Sequence, residues 1–336
     1  MRLIALLALA LLAVAIGSHA SGHERFQRGF VLLGWKNDTY LQPRSDAALR
    51  RIAAGGADHV AIFSQWFLAD PTASVLAPDP ERSPSDASVL HAMRTARALG
   101  LEVTLKPQIG IRSGSWIGTA HPADIAAFWN NYSAMLLHYG DLAQRGGAST
   151  LVIGTEMATL SSDEQRWRHL IGQLRARFHG ALTYAANYDE YQRVPFWDAL
   201  DYIGIDAYFP LADGANPSPT KQQLAAAWSA RGYLSAIGAL ARKTGKRVLF
   251  TELGYRAVHG TALHPSAWDA PGATDIRAQA DAYEAFYAAV AQQPWMAGVY
   301  WWAVNPDGSP TQDYDPTGKP AERVVARENV HAKLPW

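Results

Sequence analysis

The stretch VLFTELGYR (residues 248–256) decides the fold, because it joins an apolar, strand-like run to an acid and then a turn. Val248 to Phe250 are typical of a buried strand, and Glu252 follows at the point where that strand would end. An acid has a natural place there in folds whose parallel strands present their carboxyl ends to one functional face. The number of such strands along the chain then decides the architecture.

Seven further runs of this kind occur, and segments with helical periodicity separate nearly all of them. The predicted strands are GFVLLG (29–34), HVAIFS (59–64), EVTLKP (102–107), STLVIG (149–154), ALTYAA (181–186), DYIGID (201–206), RVLFTE (247–252) and GVYWWA (298–303). Only the connection between the fifth and sixth strands is short and weakly helical, and residues 221–245 are predicted as one helix. Eight strands alternating with helices predict an α/β fold, a closed (β/α)8 TIM barrel, rather than an open sheet.

The first twenty residues predict a signal peptide. Arg2 precedes an apolar run over residues 3–16, and small residues close the segment at Ala20. The run is shorter than the roughly 18 to 20 residues that a membrane span needs. We therefore expect cleavage after Ala20 and an exported chain, periplasmic or extracellular, with a single domain over residues 21–336. An uncleaved membrane anchor is the alternative.

Composition excludes several classes of function. Lysine and arginine total 30, as do aspartate and glutamate, so the formal net charge is zero. Nucleic acid and anionic membranes need a concentrated positive field, so neither is expected as a partner. The chain has no cysteine, its histidines lack metal-ligand spacing, and no G-x-S-x-G nucleophile is present. We therefore expect no metal and no cofactor.

Polar residues lie at the carboxyl ends of several predicted strands, where barrels of this kind carry their sites. Glu156 follows the fourth strand and Glu252 ends the seventh, so the two acids face each other across the barrel mouth. One carboxyl group of such a pair can protonate a glycosidic oxygen while the other attacks the anomeric carbon or activates water. A single acid here could instead cap a helix or pair with a cation. The joint occurrence of both favours glycosidic bond cleavage at an exposed mouth.

Three more polar residues are expected near the two glutamates. Lys106 could hydrogen-bond a sugar hydroxyl or lower the pKa of a carboxyl group, and Gln108 follows on the same strand. The alternative for Lys106 is a packed stem with its charge in solvent. Asp206, at the end of the sixth strand, is better explained as a structural acid that caps the next turn.

The chain contains twelve tryptophans, and sugar rings offer apolar faces that pack on aromatic side chains. Tryptophans that follow predicted strands are candidate sugar platforms: Trp35, Trp66, Trp116, and either Trp301 or Trp302. Strand alternation turns only one of the last two inward, and Trp302 is favoured. Tryptophans inside helical patterns are better explained as core: Trp129, Trp167 and Trp228.

Five motifs resemble glycoside hydrolase family 113 of clan A, whose members are retaining (β/α)8 enzymes. They are GTEM (154–157), LTYAANY (182–188), DYIGIDAYFPL (201–211), FTELGY (250–255) and VYWW (299–302), in order along nearly the whole mature chain. The resemblance implies a retaining glycosidase with Glu156 as acid/base and Glu252 as nucleophile. It also implies β-1,4-mannan as the substrate, since characterised members are mainly endo-β-1,4-mannanases.

The resemblance further implies that Tyr208 hydrogen-bonds the nucleophile. Many clan families have asparagine immediately before the acid/base to hold the sugar 2-hydroxyl, but this chain has Thr155 there, which leaves Asn187 as the candidate. The same chemistry on another β-glycan, such as glucan, xylan or a secreted exopolysaccharide, stays open. So does a non-catalytic carbohydrate-binding barrel. Endo or exo action and oligomeric state are not decided by the sequence.

Overall fold

The computed structural model describes residues 25–331 and contains a closed barrel of eight parallel strands in chain order. The strands are β1 Gln27–Leu32, β2 His59–Leu68, β3 Glu102–Ile111, β4 Thr150–Thr155, β5 Ala181–Asn187, β6 Tyr202–Asp206, β7 Arg247–Leu253 and β8 Met296–Val304. The predicted (β/α)8 barrel is therefore confirmed. The predicted signal peptide at residues 1–20 lies outside the described residues. Within the described chain, no helix has the length and apolar character needed to cross a bilayer.

Helices cover the outside of the barrel. They are α1 Pro43–Ala54, α2 Asp86–Ala98, α3 Ile125–Gly146, α4 Glu164–Arg175, α5 Lys221–Ala230, α6 Tyr233–Thr244, α7 Ile276–Ala289 and α8 Pro320–His331. The connection between β5 and β6 holds only two short 3₁₀ turns, as the sequence predicted. The single helix predicted over residues 221–245 is wrong, because Gly232 adopts a left-handed φ of 78° and separates α5 from α6.

Strand alternation produces two apolar cores. One core fills the barrel interior and is small: Val31, Leu33, Ala61, Phe63, Tyr202, Leu249, Ala297, Tyr300 and Ala303. The other core lies between strands and helices and holds most of the buried apolar side chains. The three tryptophans predicted as core, Trp129, Trp167 and Trp228, are all buried there, which confirms that prediction. The carboxyl ends of the strands are thus left for polar side chains.

Gly204 in β6 shows how closely the barrel backbone packs. A Cβ atom at Gly204 would lie 2.3 Å from the carbonyl oxygen of Tyr184 and 2.7 Å from Oγ1 of Thr183. Both residues belong to β5, which pairs with β6 along its length, so neither strand can move away without loss of ladder hydrogen bonds. We expect Gly204→Ala to destabilise the fold by about 1–3 kcal/mol, seen as a lower melting temperature.

The matched control is Gly172→Ala in α4, where a Cβ atom would have nothing within 4 Å. Alanine is favoured over glycine in a helix interior, so this variant should melt at or above the wild-type temperature, with a gain of about 0.5–1 kcal/mol. A Gly204→Ala variant as stable as the wild type would show that β5 and β6 can separate.

Candidate active site

Glu252 lies at the end of β7 with its carboxylate held by three donors. Its Oε1 accepts from Lys106 Nζ at 2.7 Å and from Gln108 Nε2 at 3.0 Å, and its Oε2 accepts from Tyr208 Oη at 2.8 Å. Glu252 is only 5% exposed, so the expectation of an exposed acid beyond the buried part of the strand is wrong. Donors from β3 and from the chain after β6 make burial of this charge tolerable, and they fix its orientation.

Glu252 faces the barrel interior because β7 is irregular. Leu249 belongs to the interior core and Phe250 to the outer core, so strict alternation would turn Glu252 toward the helices. The ladder passes from Phe250 to Glu252 against β6 and from Phe250 to Leu253 against β8, with a register shift on both sides. Thr251 is therefore the extra residue of a β-bulge, which turns the acid inward.

Lys106 is a fully buried cation at the centre of the site. Besides its bond to Glu252, its Nζ donates to Thr155 Oγ1 at 3.2 Å and lies 3.6 Å from Asp206 Oδ2. Burial lowers the pKa of Lys106, but the charges of Asp206 and Glu252 outweigh it, so the net effect raises that pKa. The alternative in which the Lys106 charge lies in solvent is therefore wrong.

Asp206 is the second acid beside the buried cation, and it too is fully buried. Its Oδ1 accepts from Thr251 Oγ1 at 2.7 Å, while its Oδ2 has no hydrogen-bond partner and is closest to Lys106. Burial and the charge of Glu252 raise the pKa of Asp206 well above its usual range. Asp206 belongs to the support of the site and does not cap a turn.

Glu156 stands directly after β4 in an unusual backbone conformation. Its φ of 52° makes it the one non-glycine residue with positive φ among residues 25–331. Such a conformation costs roughly 1–2 kcal/mol and persists only where neighbours hold it. The N–H of Glu156 donates to the carbonyl of Ala185 at 2.8 Å, and its Oε2 accepts from Trp116 Nε1 at 2.6 Å. The side chain keeps partial exposure to solvent.

The surroundings of Glu156 favour its protonated form. Burial is the largest cause and the charge of Glu252 the next, and together they raise the pKa of Glu156 to about 7. The hydrogen bond from Trp116 and the charge of Lys106 act in the opposite direction, and the charge of Glu190 adds a smaller increase. Glu156 can therefore give a proton near neutral pH, and the second acid, Glu252, is held by three hydrogen-bond donors.

Three of the predicted tryptophan platforms lie at the mouth. Trp116 is 43% exposed and hydrogen-bonds Glu156, as described above. The ring of Trp35, 38% exposed, lies 4.8 Å from that of Phe63, and the ring of Trp302 lies 6.3 Å from that of Phe63. Because Phe63 belongs to the interior core, Trp35 and Trp302 lie above that core at the open end of the barrel.

The other two predicted platforms do not reach the mouth. The ring of Trp66 packs 5.7 Å from His138 and 6.1 Å from Tyr139 of α3, and Trp301, 1% exposed, stacks on Tyr283 at 3.7 Å. Strand β2 extends to residue 68 instead of ending at residue 64, so Trp66 is still subject to alternation and faces the helices. The ring of Trp66 therefore lies against α3 and not at the mouth, whereas of the alternative between Trp301 and Trp302 the structure turns Trp302, the favoured residue, toward the interior core.

Asn187 ends β5 beside Glu190, an acid that was not a candidate from the sequence. Its Oδ1 accepts from the N–H of Tyr188 at 2.8 Å, and its own N–H donates to Glu190 Oε2 at 3.0 Å. Neither Glu190 nor Tyr314, whose ring lies 6.2 Å from that of Tyr208, was predicted from the sequence. The one available signal was an acid on the shortest connection of the barrel. In the part of the chain that the structure describes, no group of three or more His, Asp or Glu could hold a metal ion.

The sequence model of Glycoside Hydrolase Family 113 matches residues 29–316. Two solved β-mannanases of that family superpose closely. For the Alicyclobacillus acidocaldarius enzyme AaManA, in complex with ManMIm, identity is 29% and the TM-score 0.83, with 92% of this chain and 98% of that chain covered. For a GH113 β-1,4-mannanase complex, identity is 25% and the TM-score 0.82, with 91% of this chain and 99% of that chain covered.

More distant structures share the fold alone. GH5_18 from Streptomyces cattleya, in complex with GlcNAc, has 16% identity and a TM-score of 0.57, with 93% of this chain and 82% of that chain covered. No curated protein matches the sequence.

The raised pKa of Glu156 has a consequence for stability. Its ordinary value is 4.5 and its folded value about 7, so the folded chain binds this proton more tightly than the unfolded chain does. The resulting stabilisation is complete below the ordinary pKa and is lost as pH rises through about 7. Glu156→Gln removes the cost of the buried charge, so at about pH 8 it should be more stable than the wild type by about 1–3 kcal/mol.

Urea unfolding at about pH 4.5 and about pH 8 measures this difference, which should be small at the lower value. Glu164→Gln at the exposed start of α4, where the acid pairs with Arg168, is the control and should show no such gain. Equal stability differences for Glu156→Gln at both pH values would contradict the raised pKa.

Proposed function

Because the chain belongs to glycoside hydrolase family 113, we propose that it hydrolyses β-1,4-mannan with retention of configuration, using Glu156 as acid/base and Glu252 as nucleophile. The chain is an O-glycosyl hydrolase with a closed (β/α)8 barrel.

One observation carries the mechanism: the two carboxyl groups have opposite environments. Glu252 accepts from an ammonium, an amide and a phenol, a set of donors that suits an anionic nucleophile. Burial and the neighbouring charge raise the pKa of Glu156 to about 7, which suits a group that must first give and then take a proton. Pairs of acids with separated protonation states divide these roles in glycosidases.

The reaction then takes two steps. Glu156 protonates the glycosidic oxygen while Glu252 attacks the anomeric carbon, so the leaving sugar departs with the proton and a glycosyl ester forms on Glu252. In the second step ionised Glu156 takes a proton from water, the water oxygen bonds to the anomeric carbon, and the Glu252 carboxylate is released. Two displacements give net retention, and the mechanism requires carboxyl groups about 5–5.5 Å apart.

Mannan is the proposed substrate because the two similar GH113 structures described above are both β-mannanases. Trp116 donates a hydrogen bond to the proposed acid, and its exposed ring is proposed to contact the sugar on the leaving-group side. Trp35 and Trp302, beside Phe63, are proposed to contact sugar rings elsewhere in the mouth. Asn187 is proposed to bind the 2-hydroxyl.

We also propose that the protein is exported, to the periplasm or beyond. The support is the sequence of residues 1–20, with one cation, an apolar run and a small residue at position 20. A polymeric substrate such as mannan agrees with action outside the cytoplasm.

Azide separates the two proposed acid roles. Glu252→Ala should lose about 10³-fold or more of kcat on mannan, because no nucleophile forms the ester. With azide and an aryl β-mannobioside, this variant should give the α-glycosyl azide, since azide attacks the face that Glu252 normally attacks. Glu156→Ala should instead give the β-glycosyl azide, since azide takes the place of water in the second step.

Products are assigned by proton NMR, and Glu164→Ala on the exposed surface of α4 serves as the control with unchanged turnover. Full activity of Glu252→Ala, or the β-azide from that variant, would remove Glu252 from the nucleophile role.

Release of reducing ends from a set of β-glycans tests the substrate. We expect turnover of β-mannan to exceed that of β-glucan and xylan by about 10-fold or more, a difference of the size that pocket contacts supply. Trp116→Ala should raise KM for mannan and lower kcat, since it removes both a sugar platform and a hydrogen bond to Glu156. Preference for glucan or xylan would overturn the choice of mannan and leave the two-acid mechanism standing.

A further inference from the structure

The backbone N–H groups of two consecutive residues, Glu156 and Met157, donate hydrogen bonds to residues of β5. The N–H of Glu156 donates to the carbonyl of Ala185, and the N–H of Met157 donates to Tyr184 Oη at 2.8 Å. The first bond joins two backbone groups, as between any two strands of the barrel. The second depends on the hydroxyl of a tyrosine side chain and would be lost with another residue at position 184. These bonds flank the one non-glycine residue of positive φ in residues 25–331, which needs neighbours to hold it.

The hydroxyl of Tyr184 is itself oriented. It donates to Glu190 Oε1 at 2.6 Å, so its lone pairs are left to accept from Met157. The other oxygen of Glu190 accepts from the N–H of Asn187 at 3.0 Å. Tyr184 and Glu190 are fully buried and Met157 is 1% exposed, so solvent cannot replace these bonds.

Packing leaves the ring of Tyr184 little freedom. A Cβ atom at Gly154, two residues before Glu156, would lie 2.8 Å from Cε2 of that ring. The rings of Trp167 and Phe196 contact Tyr184 at 5.2 Å and 5.6 Å between centroids. The hydroxyl therefore has one defined position, from which it can fix the peptide that follows Glu156.

From these contacts we infer that Tyr184, oriented by Glu190, is a positioning residue that holds Glu156 where it can deliver its proton to the glycosidic oxygen. The inference rests on the proposed role of Glu156 as acid/base. In this scheme neither residue touches the substrate: Tyr184 acts through the backbone of Met157, and Glu190 acts through the hydroxyl of Tyr184. Loss of Tyr184 or Glu190 should therefore slow the reaction only for substrates whose leaving group must be protonated.

Tyr184→Phe tests the inference, because it keeps the ring and removes the hydroxyl that accepts from the Met157 N–H and donates to Glu190. The readout is kcat/KM on mannan and on dinitrophenyl β-mannobioside. For the aryl substrate this ratio reports the first displacement, and its good leaving group needs no acid. We expect kcat/KM to fall about 10- to 100-fold on mannan and less than about threefold on the aryl substrate.

The matched control is Tyr132→Phe. Tyr132 is buried in the same aromatic cluster, and its hydroxyl donates to the carbonyl of Ile153 at 2.7 Å, on β4 but not at Glu156. This variant loses the same atom and should leave the ratio of the two activities unchanged. Circular dichroism establishes that each variant is folded.

Glu190→Gln is the second variant, because an amide accepts at one position only, so either Tyr184 or Asn187 loses its acceptor. It should show the same selective loss on mannan at a smaller size, about threefold to tenfold. If Tyr184→Phe fails to fold, this variant decides the question, measured at about pH 5, where Glu156 stays largely protonated even without the increase that the charge of Glu190 adds to its pKa.

Equal losses on both substrates, or no loss on mannan, would overturn the inference and leave Tyr184 a purely structural residue. Glu156→Ala, measured alongside, separates this failure from failure of the proposed function. If Glu156→Ala spares the aryl substrate and Tyr184→Phe does not, only the positioning role is wrong. If Glu156→Ala itself shows no selectivity, the acid/base assignment is wrong.

Discussion

The buried ammonium of Lys106 is the interaction on which the arrangement of the site depends. A cation without solvent exposure costs several kcal/mol unless close acceptors compensate it. Here the compensating groups come from three other strands: Glu252 on β7 and Thr155 on β4 accept hydrogen bonds, and the carboxyl group of Asp206 on β6 lies 3.6 Å away. Because all three must stay close to one atom, Lys106 limits how far these strand ends can separate. The depth at which Glu252 lies follows from the same requirement.

The architecture could be predicted from the sequence almost completely, because a βα unit carries its own periodic signal. In β7, Val248 and Phe250 face the helices and Leu249 the interior, and apolar residues at alternate positions likewise face the helices in β3, β4 and β5. The break between α5 and α6 escaped prediction for a local reason. Helical periodicity continues on both sides of Gly232, and only its positive φ interrupts the helix. A single glycine within a helical pattern does not reveal its φ in the sequence.

The sequence was enough to predict which residues form the site, but not the direction in which each side chain points. Glu156 and Glu252 were recognisable because position at a strand end is a property of the chain alone. The direction of a side chain depends on the length and the regularity of its strand, and neither property could be predicted from the sequence. The bulge at Thr251 reverses the alternation that would turn Glu252 outward, and the additional residues of β2 turn Trp66 toward α3. Neither irregularity leaves a signal in a single sequence.

The two acids also differ in what holds them. Neutral donors and backbone support Glu156, whereas the charge of Lys106 supports Glu252. The two supports meet at Thr155, the residue before Glu156, whose hydroxyl accepts from Lys106. The side chain of asparagine is longer than that of threonine, so an asparagine that accepted from the same ammonium would hold β4 further from it. The shorter threonine hydroxyl keeps β4 close to the cation. Thr155 thus links the position of the acid to the ion pair of the nucleophile. Through that link the residue before Glu156 and the carboxyl group of Glu252 are both held by one buried charge.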